Sequence, residues 1–108
     1  MDPIARRARN YRDRSDRSPF REWITRKLDG EMRNRINLRI RRISEFGNYG
    51  DCEPVGDGVY ELRFDMGPGY RVYFGIDENE IVLLGGGDKR TQVSDIRKAK
   101  ECWEDYNA

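Results

Sequence analysis

The feature that most constrains this chain is a change of hydrophobic period near Gly50, from the 3.6 residues of a helix to the two residues of a strand. Three segments after this point alternate apolar with polar residues or are apolar throughout. They predict strands at residues 59–64, 70–76 and 80–86, which form an antiparallel β-meander within residues 58–89. A sheet of this kind needs helices to cover its apolar face.

Helix signals lie on both sides of the meander. Ser18 followed by Pro19 places a hydroxyl N-cap before a proline at the first helical position, so a helix begins there. A second helix carries isoleucines at helical spacing and ends at Gly47. A last helix begins near Thr91, while residues 1–17 fit either a helix or an edge strand. We therefore predict an α+β domain with two helices, three strands and one helix in chain order.

The loop between the first two predicted strands determines which side chains share a face. Residues 67–69 (Gly-Pro-Gly) predict a three-residue loop, because cross-strand partners on one face require an odd number of loop residues. This register pairs Asp65 with Arg71 and Arg63 with Tyr73. The next hairpin, with a turn at residues 77–79, then places Gly85 opposite Arg71.

The exposed face of the predicted meander brings together four candidate catalytic residues, Arg63, Arg71, Tyr73 and Lys89. One guanidinium group can bind two phosphate oxygens at once, and a lysine adds a mobile positive charge. A tyrosine can stack on a base. The alternative from spacing alone is that both arginines form surface ion pairs, worth under about 1 kcal/mol each, with Glu61 and Asp65.

Length and charge narrow the class of protein. A chain of 108 residues accommodates one core, so we assign residues 1–108 to a single domain. It has no apolar run of membrane-spanning length and no secretory leader, so we expect a cytoplasmic protein. Residues 1–43 hold 14 Lys or Arg against 6 Asp or Glu, and residues 44–108 hold 7 against 14. Arg35, Arg39 and Arg42 form a basic stripe on the second helix, either a solvated face or an RNA-binding ridge.

Several chemistries are disfavoured by what the sequence lacks. It contains no histidine and only two cysteines, Cys52 and Cys102, which we expect to be reduced. We therefore expect neither a metal nor another cofactor, and acid–base chemistry must use other side chains. The glycine-rich segment 85–91 is not a nucleotide-binding P-loop, because Asp88 rather than glycine precedes Lys89.

An ordered series of motifs resembles the phage-derived addiction-module killer (HigB-like) branch of the RelE/ParE toxin superfamily. The matching segments are GNYGDCEPVG at 47–56, VYELR at 59–63, GPGYRVYF at 67–74 and LLGGGDK at 83–89. The resemblance extends from about Tyr11 to Tyr106. It implies a RelE-like fold with an N-terminal edge strand at residues 5–12, a two-helix hairpin, the meander and a C-terminal helix.

The resemblance also implies a function, the toxin of a type II toxin–antitoxin system. We expect ribosome-dependent, metal-independent mRNA cleavage, with a HigA-like helix-turn-helix antitoxin, the ribosome and mRNA as partners. The alternatives are a ParE-like toxin that binds and poisons DNA gyrase, and a non-toxic antitoxin-binding relative. A ribose 2′-hydroxyl would attack the adjacent phosphate, arginines would stabilise the charge, and a lysine or tyrosine would move the proton.

The residues assigned to this activity are the four of the meander, with RNA-binding roles for Arg35, Arg39, Arg42 and Arg90. The resemblance implies that the strand arginine Arg63 and a basic residue after the last strand, Lys89 or Arg90, contribute to the RNA-cleaving site. It departs from the family at the start of the last helix, where ribonuclease members often have a tyrosine or histidine and this chain has Gln92-Val93-Ser94-Asp95-Ile96.

Overall fold

The computed structural model of the protein describes residues 5–108, so the start of the predicted 1–17 segment lies outside the described residues. Its helices are α1 (Pro19–Arg26), α2 (Gly30–Phe46) and α3 (Gln92–Tyr106), and a 3₁₀ turn at Lys89–Thr91 precedes α3. Its strands are β1 (Arg7–Asn10), β2 (Cys52–Gly56), β3 (Val59–Arg63), β4 (Arg71–Asp77) and β5 (Glu80–Gly87).

All five strands form one mixed sheet in the order β1-β5-β4-β3-β2. Strand β1 runs parallel to β5, and the other neighbouring pairs are antiparallel. The α+β class, the edge strand near residues 5–12 and the meander of β3, β4 and β5 are confirmed. Within the part of the chain described, no helix is long and apolar enough to cross a bilayer.

Side-chain caps define where the first two helices begin. The Ser18 side chain accepts a hydrogen bond from the Arg21 amide, and that of Asp29 accepts one from the Met32 amide, which satisfies donors that a helix cannot pair internally. Gly47 ends α2 with φ of 67°, a left-handed conformation that glycine adopts without strain. The helix start predicted at Ser18 and the helix end predicted at Gly47 are confirmed.

The sheet carries helices on both faces. Helices α1 and α2 pack on one face around a core that includes Ile24, Ile36, Ile43, Leu62 and Phe74. Helix α3 packs on the other face, around Val59, Tyr73, Val82, Leu84 and Ala99. Each fully buried large apolar side chain contributes about 1.5–3 kcal/mol. The prediction that the apolar run of β5 is covered on both faces is confirmed, since Ile81 and Val82 are fully buried.

The predicted pairing of β3 with β4 is wrong by two residues. The structure pairs Arg63 with Arg71, and the Phe64 amide donates to the Tyr70 carbonyl at 3.0 Å. The loop therefore spans residues 65–69, because a local turn closed by the Gly69 amide and the Met66 carbonyl lengthens it. The loop still contains an odd number of residues, so the side chains of β3 and β4 point to the sheet faces that the sequence predicted.

The pairing of β4 with β5 also differs. Its turn has two residues, with Asp77 opposite Glu80, and a bulge shifts the register between Tyr73 and Phe74. The glycine opposite Arg71 is consequently Gly87 rather than Gly85.

Strand β2 was not predicted. It is an edge strand that contains Pro54, and prolines and glycines in a sequence argue against a strand except at an edge. The signal for it was the Asp57-Gly58 dipeptide, a strong hairpin turn signal. Gly56 pairs with Val59 across this turn, and Asp57 and Gly58 have φ of 56° and 82°.

Candidate functional site

A polar cleft of about 570 Å³ opens beside the β3–β4 hairpin. Its cationic side chains are Arg63 at the end of β3, Arg71 at the start of β4 and Lys89 after β5, and we call it the cationic cleft. Phe64 and the loop at residues 65–69, which includes Asp65, form one wall, and Asp51 also lines the cleft. The structure thus brings together three of the four residues that the sequence predicted for the catalytic site.

Arg71 is the most buried cation of the cleft, with 8% of its surface exposed. Its Nη1 donates to the backbone carbonyls of Gly69 and Tyr70, at 3.1 and 3.2 Å. Its Nε is buried without a hydrogen-bond partner, and lies 3.8 Å from a carboxylate oxygen of Glu61. An unsatisfied buried donor costs roughly 1–3 kcal/mol, and here the nearby charge of Glu61 offsets part of that cost.

Glu61 lies under the cleft and is fully buried. Its carboxylate accepts hydrogen bonds from Arg63 Nε at 3.0 Å, from the Tyr73 hydroxyl at 3.0 Å and from Gln92 Nε2 at 2.9 Å. Burial alone would raise the pKa of Glu61, but the hydrogen bonds from Gln92, Arg63 and Tyr73 outweigh it, and the pKa falls below its ordinary value. The group is therefore an anion at neutral pH that is hydrogen-bonded to Arg63 and lies close to Arg71.

Tyr73 lies on the sheet face predicted for it, but helix α3 covers that face at this position. The side chain is fully buried and its hydroxyl donates to Glu61. Burial, followed by the charge of Glu61 and the hydrogen bond to it, raises the pKa of the phenol. Tyr73 thus contacts the buried carboxylate and does not line the cationic cleft.

Lys89 and Arg90 differ in their surroundings although they are adjacent. The Lys89 side chain lies against Gly69, where a Cβ would come within 2.9 Å of Lys89 Cγ. Gly69 has φ of 79°, so both its conformation and this contact favour glycine. Arg90 is exposed and forms an ion pair with Asp88 at 3.1 Å, and this hydrogen bond lowers the pKa of Asp88.

The three arginines of the predicted basic stripe on α2 have different environments. Arg39 donates to the carbonyl oxygens of residues 49, 51 and 63 and lies over the Phe64 ring, so it holds the chain after α2 against β3. Arg35 is exposed and pairs with Glu31 at 3.3 Å. Arg42 is exposed. Only Arg35 and Arg42 thus present free surface to a polyanion.

Neither the central position of Glu61 nor the hydrogen bond from Gln92 was predicted from the sequence. Glu61 was considered only as a surface partner of Arg63, because its strand face was expected to be open. The apolar stripe of α3 was the signal that this face is partly covered. Gln92 lies at the first position of α3, where the helix meets the sheet beside Glu61.

The described residues place neither a cluster of metal ligands nor a reactive thiol at the cleft. Among residues 5–108, no group of three or more His, Cys, Asp or Glu side chains is placed to hold a metal ion. Both cysteines are free and half-buried. Burial raises the pKa of the Cys52 thiol to about 11 and also raises that of Cys102, so neither is a thiolate near neutral pH.

Fold and site together define a small α+β protein in which a helix-flanked mixed sheet supports a cleft lined by cationic side chains over a buried carboxylate. No family model matches the chain. It is 46% identical over 82 residues to an uncharacterized protein of Haemophilus influenzae, a match that covers 75% of this chain and 82% of the relative. The chain therefore belongs to the same family as this Haemophilus influenzae protein.

Proposed function

We propose that this protein is the toxin of a type II toxin–antitoxin pair, with a RelE-like fold, and that it cleaves mRNA on the ribosome. The order of elements supports the fold assignment, since an edge strand, two helices, a meander and a C-terminal helix follow one another as the sequence resemblance implied, with the additional strand β2 before the meander. The proposal implies a cytoplasmic location, where ribosomes and mRNA are found.

The observation that carries the proposal is the grouping of Arg71, Arg63 and Lys89 at one cleft. Arg71 is almost completely buried, with its Nε 3.8 Å from the Glu61 carboxylate, and Arg63 is hydrogen-bonded to the same carboxylate. A phosphodiester offers two anionic oxygens that would accept from both guanidinium groups. Asp51 and Asp65 on the rim disfavour indiscriminate binding of polyanions and restrict the site to a phosphate that reaches the arginines.

The chemistry that fits this arrangement is transfer of the phosphoryl group to the adjacent ribose 2′-hydroxyl. The hydroxyl oxygen attacks phosphorus, the bond to the 5′-oxygen of the next nucleotide breaks, and a 2′,3′-cyclic phosphate forms. Arg63 and Arg71 stabilise the negative charge that develops on the phosphate oxygens. Lys89 is our candidate for proton transfer, because it lines the cleft and its side chain is exposed.

The buried groups take a supporting role in this proposal. Tyr73 and Gln92 hold the Glu61 carboxylate, which in turn holds Arg63 at a fixed orientation. Preorganised charges of this kind reduce the reorganisation that a reaction otherwise requires. We assign Tyr73 as a positioning residue, while Arg35, Arg42 and Arg90 remain candidates for contacts with RNA outside the cleft.

Induced expression of the protein in a bacterial host tests this function. We expect growth arrest together with mRNA breaks within translated codons. Arg63→Ala should abolish both effects and leave binding of a helix-turn-helix antitoxin unchanged. Arg41→Ala is the matched control, because Arg41 is exposed on α2, pairs with Glu45 and does not line the cleft.

Three outcomes would contradict the proposal in different ways. Undiminished toxicity of Arg63→Ala would remove the cationic cleft from the mechanism. Intact mRNA with DNA damage would favour the gyrase-binding alternative. Normal growth with tight antitoxin binding would indicate a non-toxic relative.

A further inference from the structure

A second hollow, of about 380 Å³, lies next to the cationic cleft, and Pro68 lines both. We call it the aromatic hollow, and its principal lining residues are Trp23, Tyr70, Gly86, Gly87, Thr91 and Asp95. Helix α1, the loop before β4, the end of β5 and the start of α3 therefore all meet there. Its volume is within the range of about 300–1,000 Å³ that small-ligand sites have.

We infer that the aromatic hollow binds the nucleobase next to the phosphate held in the cationic cleft. The inference rests on the proposed function, because it takes the phosphate site as given. Pro68 lines both hollows, and the adjacent basic residues are divided between them, with Lys89 in one and Arg90 in the other. A nucleotide that passes over Pro68 can reach both.

The aromatic side chains suit a planar ligand. Trp23 and Tyr70 meet edge to face, with ring centroids 6.2 Å apart and an angle of 69° between their planes, and both remain partly exposed. The Trp23 ring lies on Gly86, where a Cβ would clash with it, and the Tyr70 ring lies against Gly67. Aromatic side chains fixed in this way offer a stacking surface for a base at little cost in conformational entropy.

The polar groups of the hollow indicate which edge of a base it would accept. The Asp95 carboxylate lies against Gly87 and accepts a hydrogen bond from the Thr91 hydroxyl at 2.5 Å. A carboxylate is an acceptor only, so it complements the amino groups of adenine, cytosine or guanine and disfavours uracil. The exposed cations Lys27 and Arg90 add attraction for the phosphate backbone.

An NMR titration with adenosine 5′-monophosphate and ribose 5-phosphate tests the inference in the unmodified protein. The two ligands share the phosphate and ribose, so any difference between them comes from the base. We expect adenosine monophosphate to bind on the order of tenfold more tightly, and to shift the Trp23 indole and the Gly86 and Gly87 amides. Tyr70→Leu should remove this advantage, and Tyr106→Leu, distant from the hollow, should preserve it.

Equal affinity for the two ligands would overturn the base site, as would shifts confined to the cationic cleft or no response to adenosine monophosphate. None of these results depends on mRNA cleavage. Conversely, base-dependent binding in a protein that cuts no mRNA would refute the proposed function and leave the base site standing. Uridine monophosphate binding as tightly as adenosine monophosphate would refute the role of Asp95.

Discussion

Replacing Glu61 with glutamine removes the buried charge while the shape of the side chain is retained. The amide oxygen can still accept from Tyr73 or Gln92, but the charge-assisted bond to Arg63 is lost and Arg71 loses its nearest anion. A hydrogen bond to a charged group contributes about 1.5–3 kcal/mol, and a buried pair that loses one partner costs about 3–5 kcal/mol. We expect Glu61→Gln to lower the free energy of unfolding by about 2–4 kcal/mol.

The effect should depend on pH in a defined direction. Because the folded-state pKa of Glu61 lies below its ordinary value of 4.5, the carboxylate stabilises the fold fully above that pH. The contribution is lost as the pH falls through the lower folded-state pKa, where the protonated carboxyl resembles the glutamine amide. The difference in the free energy of unfolding between the unmodified protein and Glu61→Gln should therefore be constant from about pH 6 to 8, because this range lies well above the ordinary pKa of a glutamate. It should shrink in acid.

Urea unfolding followed by tryptophan fluorescence measures this difference. With a slope of roughly 1–3 kcal/mol/M for a small protein, the expected change shifts the midpoint at neutral pH by about 1–3 M. Glu53→Gln is the matched control, because Glu53 lies opposite Glu61 in the register of β2 and β3 but is exposed. Equal stability of the two variants at pH 7, or a Glu61→Gln deficit that persists unchanged in acid, would refute the reasoning.

Two further predictions concern the packing around the site. Gly86→Ala places a methyl group against the Trp23 ring and should cost about 1–3 kcal/mol, whereas Gly85→Ala, with nothing within 4 Å of its Cβ, should change the melting temperature little. Equal melting temperatures would contradict this. Arg39→Ala removes donors to three backbone carbonyls and should cost about 2–4 kcal/mol in urea unfolding, whereas Arg42→Ala should stay within about 0.5 kcal/mol. Equal losses would mean that Arg39 is not a structural residue.

Local signals in the sequence were enough to predict the start of α1, the end of α2 and the presence of β3 and β4. The N-cap at Ser18, the glycine at residue 47 and the alternation in β3 and β4 act over a few residues, and the helices and strands lie where these signals put them. The registers depended on loop geometry, which the sequence does not fix. The Met66–Gly69 turn and the bulge after Tyr73 each moved a pairing by one or two residues.

The candidate site was predictable only where it depends on local sequence pattern and not on tertiary packing. Alternation and loop parity put Arg63 and Arg71 on one face, and they share a cleft with Lys89. The burial of Tyr73 and Glu61 depends on how far α3 extends over the sheet, which is a tertiary property. Gln92, on that helix, reaches Glu61 only because of the same packing.

The parallel pairing of β1 with β5 has a consequence for synthesis of the chain. Arg7 pairs with Glu80, so β1 has no partner in the sheet until β5 has been made. Closing so long a segment is entropically costly, and pairings of this kind form slowly. Helix α3, which brings Gln92 to Glu61, is made later still. A nascent chain that ends before Gln92 therefore lacks one of the contacts that hold Glu61 beneath the cationic cleft.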